Sequence, residues 1–343
     1  MIKLIKEINR KKFNWILYLM LITVLISCKK GAEFKIGLMF PYTTSSRMAI
    51  ETKYFKEKTA ALNCEVIVTD AKHDDKLQKD QANELIKNGI NVLVIMAVNA
   101  YTAAEIVRDA HNAGVKVIAY DRIINNCDLD FYISHNNYNV GKYMAEYAMK
   151  YKPQGKYLIL GGDKSDRNAI SVKNGQLDAI RPSVQAGKIK IVYDVYVEDW
   201  SKENACAEIK KYIKLSGNDV PDVILSSYDG LSNGVNMAYD ELGIDASNTL
   251  ITGQDAEPLA LKNIIAGRQT MTIFKPLKIL AENAFDIAIK LLKNQKIDYS
   301  LKVFNNRIDV PTILFDPVVV DKSNIKETVI KEGLVKESDI YNK

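Results

Sequence analysis

Short apolar runs rich in β-branched residues alternate with longer stretches of helical periodicity from Phe34 onward. The runs read FKIGLMF, CEVIVTD, NVLVIMAV and VKVIAYD in the first half of the chain, and KYLILGG, IKIVYDVYV, PDVILSSYD, TLITGQD and QTMTIFK in the second. Strands that alternate with helices in this way pair in parallel through right-handed crossovers. Because the runs are apolar at consecutive positions, helices are expected to cover both faces of each sheet. The pattern predicts an α/β protein.

The alternation comes in two sets, and the second set starts after Tyr138. Two such sets predict two doubly wound parallel-sheet lobes with a cleft between them. No linker rich in Pro, Gly or Ser separates the sets. We therefore expect short crossovers between the lobes, which are able to act as a hinge.

The first 27 residues have the features of an export signal. Basic residues precede an apolar stretch from Trp15 to Ile26, which is shorter than the ~20 residues that a membrane-spanning helix needs. The segment LISC that ends at Cys28 resembles the bacterial lipobox, whose cysteine is lipidated and becomes the new N-terminus. An ordinary signal peptide with an incidental cysteine is the alternative. We expect residues 1–27 to be removed and residues 28–33 to tether the exported domain to the membrane surface.

The net charge of the full chain is +5. Residues 1–27 hold five basic residues and one acidic residue, Glu7, so their removal lowers the net charge to +1. The basic character therefore lies mainly in the signal, and it does not indicate nucleic-acid binding. A repressor of this architecture would carry a DNA-binding headpiece before the first strand. The signal peptide occupies that place, which excludes a repressor.

The cysteines and histidines do not form a metal-binding or disulfide pattern. The cysteines after Cys28 are few and odd in number, which favours free thiols, although one disulfide bridge remains open. The histidines lack the spacing of a zinc-binding helix. We therefore predict neither a metal nor a cofactor. The residues concerned are Cys64, Cys127, Cys206, His73, His111 and His135.

Sequence motifs of common enzyme classes are missing from the chain. It contains no GxGxxG, no GxxxxGK[ST] and no GxSxG. A pair of carboxylates for glycoside hydrolysis remains possible if Asp121, Asp166 or Asp255 approach one another. Nothing in the sequence marks one of them as an acid with a raised pKa, so we predict that the protein is not an enzyme.

Polar residues suited to binding sugar hydroxyls follow the predicted strands. Ligands of open α/β sheets bind outside the carboxyl ends of the strands. An ionised Asp accepts hydrogen bonds, Arg donates them in a fixed fork, Asn does both, and an indole ring covers the apolar face of a sugar. Each residue alone could equally cap a helix or lie in solvent. Their recurrence at equivalent points favours a binding site made of Arg47, Asp121, Arg122, Asp166, Asn168, Trp200, Asp255 and Lys275.

Four long stretches of the chain carry a family resemblance: VKVIAYDRIINNCDLDFYIS, GKIKIVYDVYVEDWSKENA, ITGQDAEPLALKNIIAGRQTMTIFKPLK and NIKETVIKEGLVKESDI. They resemble the periplasmic sugar-binding proteins of ABC importers, the pentose and hexose group with the type I fold, and in particular its D-xylose-binding members. The resemblance extends over the whole chain after the signal. It implies two lobes joined by three hinge crossovers, with residues 34–137 and 276–310 in the N-terminal lobe and residues 138–275 and 311–343 in the C-terminal lobe.

The resemblance also implies roles for single residues. The charged and amide candidates named above match hydrogen-bonding positions of the D-xylose-binding members, and Trp200 matches a ring-stacking aromatic. Tyr228 stands where those members have an Asn that contacts the sugar, and Met48 stands where they have an aromatic. Tyr42 is a candidate replacement for that ring. The residues at the first crossover, His135 and Asn136, replace an aromatic and a carboxylate.

The function implied by the resemblance is that of a substrate-binding lipoprotein of an ABC importer, with D-xylose as the first candidate for its sugar. A different pentose or hexose is the alternative ligand, and a sensing subunit for a chemoreceptor or kinase is the alternative role. The expected partners are the sugar, a membrane permease and an ATPase. We expect an exported monomer, anchored by lipid on Cys28, that binds no nucleic acid and needs no cofactor.

Overall fold

The structure is a computed structural model that describes residues 32–43, 46–59 and 62–341. The predicted signal peptide, Cys28 and the beginning of the predicted tether lie outside the described residues. None of the helices in the described ranges is long and apolar enough to cross a membrane.

The first lobe begins with five strands that pair in parallel and are connected by helices. The strands are β1 (Phe34–Phe40), β2 (Cys64–Asp70), β3 (Val92–Ile95), β4 (Lys116–Tyr120) and β5 (Phe131–His135). The helices are α1 (Ser46–Thr59), α2 (Asp75–Lys87) and α3 (Ala103–Asn112). The sequence predicts a helix start at Asp74, because Asp is a preferred N-cap residue and a stretch of helical periodicity follows it. Helix α2 begins there, and the Asp74 side chain accepts a hydrogen bond from the Leu77 N–H at 2.9 Å.

The second lobe repeats this alternation. Its strands are β6 (Gly155–Gly161), β7 (Ile189–Tyr196), β8 (Val223–Ser226), β9 (Leu250–Ile251) and β10 (Met271–Phe274). Its helices are α4 (Asn137–Tyr151), α5 (Arg167–Gln185), α6 (Lys202–Leu215), α7 (Asp229–Leu242) and α8 (Pro258–Ala266). Short 3₁₀ turns cover Glu198–Trp200 and Ala246–Asn248.

The chain then returns to the first lobe before it ends in the second. The remaining elements are α9 (Leu277–Leu292), β11 (Leu301–Phe304), β12 (Asp309–Phe315), β13 (Val318–Asp321), a π-helical turn (Lys326–Ile330) and α10 (Glu337–Tyr341). Strand β12 pairs in parallel with β5 and antiparallel with β11, whereas β13 pairs antiparallel with β10. The chain therefore stays in the first sheet as far as Phe315, beyond the lobe boundary at residue 310 expected from the sequence.

The two sheets share one strand order. The first runs β11-β12-β5-β4-β3-β1-β2 and the second runs β7-β6-β8-β9. A bridge between Gln254 and Ile273 leads from the end of the second sheet to β10. In both lobes the first strand lies between its two successors. The direction in which strands are added to the sheet therefore reverses beside β1 and β6. Such a switch point opens a crevice at the carboxyl ends of the strands.

The side chains of β3 show why the strands are apolar at consecutive positions. Val92 and Val94 pack with residues of α1 and α9 on one face of the sheet. Leu93 and Ile95 pack with residues of α2 and α3 on the opposite face. All four are fully buried. The sheet is thus covered by helices on both faces, as the sequence predicts.

Within the described residues, the chain crosses between the lobes three times, next to Asn136, Pro276 and Asp316. The crossings are hydrogen-bonded to one another. The Asn136 N–H donates to the Phe315 carbonyl oxygen at 2.8 Å, and His135 Nε2 donates to the Pro276 carbonyl oxygen at 3.1 Å. These bonds lie at the junction of the lobes, so the three crossovers that the resemblance implies are present.

Helices α4 and α5 pack closely because glycines lie at their contact. A Cβ atom at Gly141 would lie 1.8 Å from the Val172 carbonyl oxygen, and one at Gly175 would lie 2.1 Å from the Tyr138 carbonyl oxygen. Both obstructing atoms belong to the backbone, so they cannot rotate away as a side chain would. The packing of these helices therefore requires glycine at both positions.

Gly175→Ala is expected to lower the free energy of unfolding by about 1–3 kcal/mol, the usual loss for an overpacked core. The loss arises although Ala is the better helix former, because the two helices must move apart. Asn174→Ala, an exposed position on the same helix, is the matched control and should change the stability by less than about 0.5 kcal/mol. Urea unfolding measures both, and equal stability of the two variants would contradict the packing argument.

Candidate functional site

The predicted site residues lie just beyond the carboxyl ends of the strands in both lobes. Arg47 follows β1, and Asp121 and Arg122 follow β4 in the first lobe. The second lobe places the others after successive strands: Asp166 and Asn168 after β6, Trp200 after β7, Tyr228 after β8, Asp255 after β9 and Lys275 after β10. The shared strand order turns these ends toward the crevice between the lobes.

A cavity of about 150 Å³ lies in this crevice. Arg47, Tyr228, Asp255 and Lys275 line it directly. The rest of its wall is formed by Tyr42, Ala256, Glu257, Pro258, Phe274, Leu277 and Leu334. The other predicted residues do not line this cavity but contact its neighbourhood, as the following pairs show.

Asp121 is buried, with only 4% of its surface exposed, and lies 3.4 Å from Arg47 (Oδ1 to Nη2). Burial by itself disfavours the charged carboxylate, but Arg47 and Lys275 outweigh it and hold the pKa of Asp121 well below its ordinary value. The carboxylate is therefore ionised at neutral pH. Arg47 is oriented by Glu51 one helical turn later, which accepts from its Nε at 3.2 Å.

Lys275 and Asp255 form the corresponding pair in the second lobe. Their charged atoms lie 2.8 Å apart, and only 5% of Lys275 is exposed. His135 is fully buried nearby. Burial and the positive charge of Lys275 lower the pKa of His135 to about 3, so its ring is neutral at neutral pH. The cleft thus holds one cation–anion pair from each lobe beside a neutral imidazole.

The N-terminus of helix α5 also contacts the first lobe. Asp166 caps this helix by accepting from the Asn168 N–H at 2.8 Å, and its other carboxylate oxygen lies 3.7 Å from Arg122 Nε. The Asn168 side-chain amide donates to the Asp121 carbonyl oxygen at 3.3 Å. Asp166 is therefore both a helix cap and a member of the charged cleft. The two roles that the sequence offered as alternatives occur together in this residue.

Trp200 reaches the site through a strained turn. Asp199 and Trp200 have φ angles of 57° and 54°, in the left-handed region that non-glycine residues rarely adopt. The Asp199 N–H donates to Asp163 Oδ2 at 2.7 Å, which supports the turn. A Cβ atom at Gly162 would lie 2.2 Å from the indole, so the ring rests on the glycine backbone. The turn thereby holds the indole against the end of β6.

Tyr228 contacts Trp200 edge to face, with ring centroids 6.0 Å apart at 90°. Its hydroxyl donates a hydrogen bond to Glu257, one of the residues that line the cavity. Burial raises the pKa of both groups, and Asp255 raises that of Glu257 further. Because the phenol hydrogen is used by Glu257, the remaining hydrogen-bonding capacity of the Tyr228 oxygen is that of an acceptor.

Two acidic residues of the site, Glu51 and Glu257, were not predicted from the polar residues at the strand ends. Glu51 lies inside helix α1, where its spacing of four residues from Arg47 was the available signal. Glu257 follows Asp255 in the same loop. Met48 packs in an apolar cluster of the first lobe and does not line the cavity, whereas Tyr42 does. Tyr42 therefore contributes a ring to the cavity wall, together with Tyr228 and Phe274.

Neither a metal site nor a disulfide is found in the described ranges. They contain no group of three or more His, Cys, Asp or Glu residues able to hold a metal ion. Cys64, Cys127 and Cys206 are free thiols, and burial raises the pKa of Cys127 to about 12. What the site offers is hydrogen-bond donors, acceptors and aromatic rings around a small cavity.

Known proteins share this architecture over most of its length. Residues 36–296 match the family described as periplasmic binding protein domain. The D-xylose-binding periplasmic protein of Haemophilus influenzae is 37% identical over 321 residues, which cover 94% of this chain and 96% of that protein. Its namesake in Escherichia coli K12 is 37% identical over 308 residues, with 90% and 93% covered. An ABC transporter solute-binding protein from Clostridium phytofermentans, solved with β-D-glucose, is similar with a TM-score of 0.82 at 27% identity, covering 89% of this chain and 99% of that one.

Proposed function

We propose that this chain, which belongs to the periplasmic binding protein domain family, binds D-xylose between its lobes and delivers it to the permease of an ABC importer. The identity of 37% to two D-xylose-binding periplasmic proteins supports the choice of sugar. The bound β-D-glucose of the Clostridium protein makes a hexose the competing ligand. A transport protein releases its sugar unchanged, so its cleft needs hydrogen-bond donors and acceptors. The ion pairs of Arg47 with Asp121 and of Lys275 with Asp255 supply them.

The observation that carries the proposal is one ion pair from each lobe in the cleft, each with one member almost fully buried. Arg47 and Asp121 follow strands of the first lobe, and Lys275 and Asp255 follow strands of the second. A sugar hydroxyl both donates and accepts, so it can insert between a cation and an anion and bond to both. Ligand binding then joins the lobes through groups that each lobe already holds in place.

The rest of the cleft suits a sugar ring. A cavity of about 150 Å³ has room for one six-membered ring. The phenols of Tyr42 and Tyr228 line the cavity and offer surfaces to the C–H faces of such a ring. The indole of Trp200 lies next to this wall, edge to face with Tyr228. Tyr228 and Glu257 together present acceptors to the ligand, so a sugar hydroxyl that donates is expected at this wall.

Sugar titration of the purified mature protein tests the proposal. Trp200 is the only Trp left after removal of residues 1–27, so binding next to its ring should change the fluorescence emission. We expect D-xylose to bind most tightly among xylose, ribose, arabinose, glucose and galactose, with calorimetry as the independent measurement. Heat without a change in emission would remove Trp200 from the binding wall. Failure of all five sugars to bind would overturn the proposed function.

Asp121→Asn keeps the shape of the side chain and removes its charge. Loss of a charged acceptor is expected to weaken sugar binding by about 1.5–3 kcal/mol, roughly 10- to 150-fold in Kd. The matched control is Asp178→Asn on the exposed side of helix α5, where the carboxylate pairs with Arg181. Its affinity should equal that of the unmodified protein. The assignment of Asp121 as a ligand contact is wrong if both variants bind sugar equally well.

We also propose that lipid on Cys28, outside the described residues, anchors the exported protein. The lipobox-like segment LISC and the basic, apolar leader before it support this. The protein should fractionate with membranes, and Cys28→Ser should shift it to the soluble exported fraction without changing its sugar affinity. An unmodified protein found only in the soluble fraction would instead indicate an ordinary signal peptide.

A further inference from the structure

Three consecutive residues at the N-terminus of helix α5 reach across to the first lobe. Asp166 approaches Arg122 with 3.7 Å between Oδ2 and Nε, and the Asn168 amide donates to the Asp121 carbonyl oxygen. Both residues are proposed sugar contacts, so their bonds to the first lobe are expected to rearrange when a sugar enters. Arg167, which stands between them, has partners of another kind.

Arg167 Nη1 donates to Asn125 Oδ1 at 2.8 Å and lies 3.4 Å from the Phe304 carbonyl oxygen. Asn125 lies in the loop after β4, and Phe304 is the last residue of β11, so both acceptors belong to the first lobe. Neither acceptor lines the cavity between the lobes. Arg167 therefore joins the lobes at a place where a bound sugar need not displace it.

The two acceptors are held together by the first lobe itself. Asn305, which follows Phe304, is fully buried and donates from Nδ2 to the carbonyl oxygens of Ile124 and Cys127 at 3.0 and 2.9 Å. The loop that contains Asn125 is thereby tied to the end of β11. Because Asn125 and the Phe304 carbonyl are already held in place, little conformational entropy is lost when the Arg167 guanidinium binds them.

On the basis of the proposed function, we infer that Arg167 is a positioning residue that stabilises the closed arrangement of the lobes without touching the sugar. Its hydrogen bonds exist only when the lobes meet, and in an open form the guanidinium and the Asn125 amide return to water. Apparent affinity scales with the fraction of protein in the binding-competent form. Arg167 therefore strengthens the binding of any accepted sugar by one common factor and slows its release.

We call the contact of Arg167 with Asn125 Oδ1 and the Phe304 carbonyl oxygen the latch. The latch is directional, since the planar fork of the guanidinium must meet an amide oxygen and a backbone carbonyl together. Lysine, a point charge on a flexible stem, is expected to restore only part of the effect.

Arg167→Met removes the donors and keeps an unbranched side chain in place. We expect Kd for each accepted sugar to rise by roughly 5- to 30-fold, the range for a hydrogen bond to a charged group at a partly exposed site. The rise should appear in the dissociation rate, measured by stopped-flow fluorescence of Trp200, with the association rate and the ranking of sugars unchanged. Small-angle X-ray scattering of the sugar-free variant should show a larger radius of gyration, which saturating sugar restores to the value of the unmodified protein.

Arg181→Met is the matched control. Arg181 lies on the same helix and pairs with Asp178 of its own lobe. It should leave the dissociation rate and the sugar-free radius of gyration unchanged. In the background of Arg167→Met, Asn125→Ala should add no further increase of the dissociation rate, because the two groups act as one unit.

The outcomes separate the latch from the proposed function. If the unmodified protein binds a sugar and Arg167→Met binds and releases it equally fast, the latch is wrong and the proposed function stands. A changed ranking of sugars would show that Arg167 contacts the ligand, which also overturns the latch. If the unmodified protein binds none of the sugars, the proposed function fails. The scattering comparison of the sugar-free proteins then still decides whether Arg167 holds the lobes together.

Discussion

The buried carboxylate of Asp121 is the charge around which the cleft is organised. A charge with only 4% of its residue surface exposed is stable only beside opposite charges. Arg47 supplies one after β1, and Lys275 supplies another at the crossover after β10. The Asp121 backbone carbonyl in turn accepts from Ser134 and from Asn168 of the second lobe. One residue therefore connects both lobes through its side chain and its main chain.

The repeated strand order explains why polar groups so far apart in sequence meet at this point. Each sheet carries a switch point beside its first strand, and each presents the carboxyl ends of its strands at one edge. The two edges face each other, and the hydrogen-bonded crossovers next to Asn136 and Pro276 hold them in register. The strands are apolar along their buried length, and polar residues follow at their carboxyl ends. The same alternation in the sequence therefore gives both the apolar core and the polar site. The family to which the chain belongs shares this architecture over residues 36–296.

Local sequence signals predicted much of this structure. The alternation of runs predicted β1 to β4 and β6 to β10 but not β5, and the cap at Asp74 predicted the start of a helix. The strands after residue 300 were not predicted. Strand β11 lies at the edge of the first sheet, and β12 lies between β11 and β5, so its place depends on contacts with β5, which is distant in sequence. Glu257 was missed for a similar reason, because nothing near it in sequence shows that Tyr228 will be placed against it. Glu51 was missed although its spacing of four residues from Arg47 was a local signal.

The sequence by itself determined the fold class, the two lobes and the positions of the polar residues at the strand ends, since these follow from periodicity and from residue type. Only the tertiary structure decided which of those residues meet. It paired Arg47 with Asp121 and Lys275 with Asp255, joined Tyr228 to Glu257, and moved Met48 from the expected wall into the core. It also carried Arg167 across to Asn125, outside the cavity. The contacts within a lobe depend on how strands and loops distant in sequence come together, and the contact of Arg167 depends on how the two lobes meet. No local pattern in the chain records either geometry.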